Sequence, residues 1–113
     1  MLANPNIAQP NPTNSPSNSP TGGVKNDLGT APSQIALDRT TTKNRKDLFL
    51  FNPTTSTDTV LINYGTTVTP SAFTAEILPG GSWRDFANSQ GPISARAKVG
   101  TATLYATEFI TLI

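Results

Sequence analysis

Ile93 to Val99 alternates apolar and polar residues without a break. Ile93, Ala95, Ala97 and Val99 fall on one set of positions, Ser94, Arg96 and Lys98 on the other. A period of two separates these sets onto opposite faces of a strand; on a helix it would scatter both around the axis. The same period recurs. Thr59 to Tyr64 sets Val60, Ile62 and Tyr64 against Leu61 and Asn63, and Thr103 to Ile110 sets Leu104 and Ala106 against Tyr105, Thr107 and Phe109. Phe73, Ala75 and Ile77 share a face, as do Ile35 and Leu37, and Ser82 to Phe86 is a short strand carrying Trp83. The continuous run Leu48-Phe49-Leu50-Phe51 predicts a strand covered on both faces.

Turn chemistry punctuates these segments: Asn52-Pro53, Gly65, Leu78-Pro79-Gly80-Gly81 and Gly100-Thr101. Seven or so short strands separated by turns predict an all-β fold, a single small β-sandwich over 34–113. Alternation does not give strand order, so jelly-roll and immunoglobulin-like topologies both stand. A sandwich of about 80 residues has a thin core, for which oligomerisation is a common remedy. The apolar Phe109, Ile110, Leu112 and Ile113 therefore read as a surface buried between subunits.

Residues 1–33 obey different physics. Six of the ten prolines lie here (Pro5, Pro10, Pro12, Pro16, Pro20 and Pro32), with Asn and Ser between them, and Asn14-Ser15-Pro16 recurs as Asn18-Ser19-Pro20. Proline fixes its own φ and pushes the preceding residue toward extended backbone. Such a segment buries too little apolar surface to offset its ordering entropy. It predicts an extended N-terminal arm, with a reach on the order of 100 Å at about 3.1 Å per residue. Small apolar anchors punctuate it: Leu2, Ile7, Val24 and Leu28.

Chemistry is sparse. The chain has no Cys and no His, which removes thiolates, the commonest metal ligand and the commonest general base. Its net charge is +1, giving no bulk electrostatic reason to expect a nucleic acid. The first residues do not read as a signal peptide, and no apolar run suits a membrane helix. Asp27, Asp38, Asp47, Asp58, Glu76, Asp85 and Glu108 are not paired by spacing, so surface solvation is their expected role. Thr54 to Asp58 offers one carboxylate, too few for calcium. Arg39, Lys43, Arg45 and Lys46 read as a solvated loop or a contact to an acidic partner. Trp83 reads as a core or subunit contact. No cofactor, metal or catalytic residue is expected. A hydrolase acting through Glu76 or Asp85 has no further support in the sequence.

The stretch from Leu48 to Phe109 also resembles small β-sandwich proteins of tailed bacteriophage virions. The resemblance lies in the strand ending at Asn52-Pro53 and in Val60-Leu61-Ile62-Asn63-Tyr64-Gly65. It continues through Ile77-Leu78-Pro79-Gly80-Gly81-Ser82, Gly91-Pro92-Ile93-Ser94-Ala95 and Gly100-Thr101-Ala102-Thr103-Leu104. It implies a non-enzymatic virion component, a capsid decoration (cement) protein made in the host cytoplasm and carried on the capsid surface. The implied partners are the major capsid protein or other virion proteins, together with copies of the chain itself, a trimer being favoured. The expected partner contacts are Leu2, Ile7, Val24, Leu28, Trp83, Phe109 and Ile113. A neck, tail or fibre component fits the same resemblance. The alternative function is a carbohydrate-binding adhesion module on a tail or fibre, using the loops around Trp83 and Tyr64.

Overall fold

The computed structural model describes residues 18–20 and 23–111. They form nine strands: β1 (Asn18–Pro20), β2 (Val24–Leu28), β3 (Ser33–Ala36), β4 (Arg45–Phe51), β5 (Val60–Tyr64), β6 (Ala75–Ile77), β7 (Ser82–Arg84), β8 (Ile93–Ala97) and β9 (Ala102–Thr111). Every pairing between them is antiparallel. One sheet runs β2-β9-β4-β7, with β1 continuing along the same edge of β9 as β2. The other runs β3-β8-β5-β6. From β2 onward the chain changes sheet at every connection except β5 to β6. This is the jelly-roll order, which decides between the two topologies the sequence left open. An immunoglobulin-like order would pair more sequence neighbours within each sheet.

The two sheets share one core. Leu48 and Leu50 of β4 and Leu104 of β9 meet Val60 and Ile62 of β5 and Ile93 of β8, all with no exposed surface. The alternation expected in β9 holds, because that strand has one face on this core; in β5 and β8 the expected inward residues Val60, Ile62, Ile93, Ala95 and Ala97 face it too, but Leu61 and Ser94 on the opposite faces are buried as well. Full burial of each large aliphatic side chain contributes about 1.5–3 kcal/mol. Small residues alternate with the large ones: Ala95, Ala97, Ala102 and Ala106 let the sheets approach closely.

Four expectations need correction. First, the 33/34 boundary falls inside the sandwich: β2 pairs with Ala102–Ala106, and Leu28, 3% exposed, belongs to the core rather than to an external contact. Charge and proline had hidden a strand that tertiary pairing stabilises. Second, Ile35 and Leu37 do not share a buried face. The register shifts between Gln34 and Ala36, so Ala36 enters the core and Leu37 is exposed. Third, β4 is covered on one face only among the described residues, with Phe49 39% exposed. Fourth, β8 ends at Ala97, leaving Val99 on an exposed loop.

The loops gather at two ends. At one end, residues 52–59, 78–81 and 98–101 are laced together. Asn52 Nδ2 donates to the carbonyls of Asp58 (3.0 Å) and Ile77 (2.8 Å), and Asp58 Oδ2 accepts from the backbone N–H of Val99 (2.7 Å) and Gly100 (2.9 Å). Those backbone donors hold the Asp58 carboxyl below its ordinary range. Gly80 turns there at φ 87°, with Thr54 Cγ2 3.1 Å from where a Cβ would stand. At the other end lie residues 37–44, 65–74 and 85–92.

Candidate interaction face

Two carboxylates organise this second end, and neither is the solvated surface group the sequence suggested. Glu108 lies inward on β9 and is 8% exposed. Its Oε2 accepts from Arg45 Nε at 2.7 Å and from Arg39 Nε at 3.1 Å, and its Oε1 accepts from an Arg39 guanidinium nitrogen at 2.8 Å. Arg45, whose side chain has no exposed surface, also donates to the carbonyls of Ser89 (2.7 Å), Gly91 (2.9 Å) and Leu37. Burial pushes the Glu108 carboxyl up, but the two guanidinium groups outweigh it and hold it below the usual range. Arg39 and Arg45 thus serve the fold from within, which corrects their reading as a solvated basic cluster.

Asp85, 5% exposed, is the second organiser. Its Oδ1 accepts from Tyr64 Oη at 2.6 Å and from the Ala87 N–H at 3.0 Å, and its Oδ2 accepts from the Ser89 N–H at 2.8 Å. Burial and this carboxylate push the Tyr64 hydroxyl up to about 12. Gln90 closes the loop: its Oε1 accepts from Arg45 N–H at 2.8 Å, and its Nε2 donates to the carbonyls of Arg45 (2.9 Å) and Asn88 (3.0 Å). The loop 85–91 is therefore held from both sides. At its tip Phe86 is 89% exposed, more than any other large apolar side chain described.

Beside this loop lies the outer face of the five-stranded sheet. Phe49 and Phe51 of β4 and Tyr105 and Phe109 of β9 point outward, opposite in sense to Leu48, Leu50, Leu104 and Ala106. Phe51 stands directly across from Tyr105, and Phe49 across from Thr107. A shallow groove of about 430 Å³ runs between Asp47, Phe49, Arg84, Thr107 and Phe109. An Arg84 guanidinium nitrogen closes one side on Asp47 Oδ2 at 2.7 Å.

The expected contact residues are scattered by this geometry. Phe109 lines the groove. Val24 is 51% exposed at the sheet edge, paired with Ala106, and so lies on the face of the sheet opposite to Phe109. Leu28 is core, and Trp83 points inward opposite Leu50, packed on the core and edge-on to Tyr64 at 6.1 Å. Leu2, Ile7 and Ile113 lie outside the described residues. Phe86 and Phe49 were not singled out. Phe49 read as core because a continuous apolar run does not distinguish one covered face from two, and Phe86 was placed at the end of a strand, Ser82 to Phe86, that in the structure stops at Arg84 and leaves it on a loop.

A second depression, about 370 Å³ in volume, opens between Asp27, Gly29, Thr55, Thr57 and Thr101. Its carboxylate is the solvent-exposed Asp27. Among the described residues, no three acidic or other metal-ligating side chains come together. No protein-family model matches the chain, and no curated protein or solved structure matches it either.

Proposed function

We propose that this chain is a bacteriophage virion structural protein, a capsid decoration protein that attaches by its N-terminal segment and carries a jelly-roll body. The observation that carries this reading is the way the segment enters the fold. β1 pairs Asn18, Ser19 and Pro20 with Thr111, Ile110 and Phe109, and β2 continues along the same strand to Ala102. β9 is the longest strand and sits inside its sheet, between this edge and β4. Tension on the segment before Asn18 is therefore passed by backbone hydrogen bonds into the middle of the sandwich. A tether needs such an anchorage. Weak contacts along the segment, with Leu2 and Ile7 as apolar anchors, gain from effective concentration because the sandwich holds one end. Prolines reduce the ordering cost by extending the free chain beforehand.

The test is co-sedimentation with undecorated capsids, comparing the full chain with a variant beginning at Asn18, which keeps every described strand. Near-stoichiometric sedimentation of the full chain, lost on truncation, is the expected result. Equal sedimentation of both, or of neither, overturns the tethering function.

A further inference from the structure

We infer that the sandwich meets the capsid end-on, through the loop end that carries Leu37, Lys43, Lys46 and Phe86, and that the capsid surface it meets there is acidic. This rests on the tethering function proposed above and names the part of the body that the tether brings into contact.

The starting point is where the N-terminal segment leaves the fold. Asn18 pairs with Thr111, the last residue of β9, so the chain before Asn18 departs at that end of the strand. Thr111 is tied in turn to Asn44: its N–H donates to the Asn44 carbonyl at 2.8 Å, and its carbonyl accepts from Asn44 Nδ2 at 3.1 Å. Next to Asn44, Gln90 bonds both the N–H and the carbonyl of Arg45. Asn18, Thr111, Asn44 and Gln90 thus form one row across the end of the sheet. With neighbouring strands about 4.8 Å apart, the row is on the order of 15 Å long. The loops of Leu37 and Phe86 therefore stand beside the exit of the segment.

The direction of load separates the two ends of the sandwich. A pull on the segment away from this end acts along β1 and β2, and their pairings with β9 resist it together, in shear. With the capsid at the opposite end, the same pull would be reversed and would peel β1 from β9 one pair at a time, beginning at Asn18. Only the first arrangement loads the whole anchorage at once.

Charge supplies the chemistry of the partner. Of the four basic residues 39, 43, 45 and 46, Arg39 and Arg45 are occupied by Glu108. Lys43 and Lys46 are exposed and form no ion pair among the described residues. The chain's other two lysines, Lys25 and Lys98, each have a carboxylate, Asp27 at 3.8 Å and Glu76 at 3.1 Å. On the same end, Asp38 is engaged by Thr40, whose N–H (2.9 Å) and hydroxyl (2.6 Å) both donate to its Oδ1. Phe86 and Leu37, 89% and 60% exposed, add apolar area whose burial on a partner is favourable. Unpaired lysines around them steer the approach to an acidic surface.

The chain has no cysteine, so one introduced thiol reports one position. The experiment labels full-length Thr41→Cys and Val99→Cys with a maleimide, free and after binding to undecorated capsids. Both residues are exposed, at opposite ends of the sandwich. Binding should slow the reaction at position 41 by about tenfold or more, since a buried thiol is inert, and leave position 99 unchanged. Lys43→Glu combined with Lys46→Glu, with a wild-type circular dichroism spectrum, should weaken capsid binding about tenfold at low salt, and the gap from wild type should narrow as salt rises. Protection at position 99 instead, equal labelling at both positions on bound protein, or wild-type binding by the charge-reversed variant overturns the inference and leaves tethering standing. A full chain that does not sediment with capsids removes the tethering function, and this inference with it.

Discussion

Replacing Glu108 with glutamine keeps the side chain's shape and removes its charge. Arg45, with no exposed surface on its side chain, then keeps a buried positive charge whose counter-ion is gone. Breaking a buried pair in this way costs about 3–5 kcal/mol. The lower half of that range applies, because three backbone carbonyls still accept from Arg45. Domains of this size have about 5–15 kcal/mol of stability in all. Each kcal/mol moves the midpoint by roughly 4–8 °C in a domain of 60–100 residues, so Tm should fall by at least about 12 °C. Thermal unfolding at pH 7, followed by circular dichroism, measures it. The loss should persist at high salt, since screening acts weakly on buried charges. A fall of under about 5 °C would mean that water reaches Arg45, and the account of a buried clamp would be refuted.

Two further outcomes follow from the same geometry. Glu108 has a folded pKa below its ordinary value of 4.5, so its contribution is complete above that pH and is lost as pH falls through the folded value. The Tm gap between wild type and Glu108→Gln should therefore close between pH 5 and acid conditions, and a gap constant down to pH 3 would contradict the linkage. Truncation should separate arm from body at Gly23, not at Gln34. A chain beginning at Gln34 loses β2 and Leu28, uncovers the edge of β9 and should not give a cooperative unfolding transition, whereas one beginning at Gly23 should. A cooperative transition in the shorter chain would show that β2 is dispensable.

Legibility in the sequence followed the reach of the physics involved. β8 and β9 were plain because half-buried strands impose a period of two on their own residues: Ile93, Ala95 and Ala97 turn inward with nothing else needed. β2 was missed because Val24–Leu28 has little apolar content and owes its order to five pairings with residues 102–106, almost 80 positions away. Leu37 was misplaced by a single register shift in β3, which reverses every side chain after it.

The candidate face was the least legible part. Phe109 was picked out as a contact, but Phe49 was assigned to the core and Phe86 passed over. Whether an apolar side chain is covered depends on what packs above it, and sequence does not record that.

By itself, then, the sequence determined that this chain would form an all-β sandwich of short strands preceded by a proline-rich segment, because backbone sterics and alternating burial act between near neighbours. Only the tertiary structure decided the jelly-roll order, the buried union of Arg39, Arg45 and Glu108, and the groove that brings Phe49, Arg84 and Phe109 together. Those depend on which distant strands pair, and pairing is selected by the free energy of the whole core rather than by any local stretch.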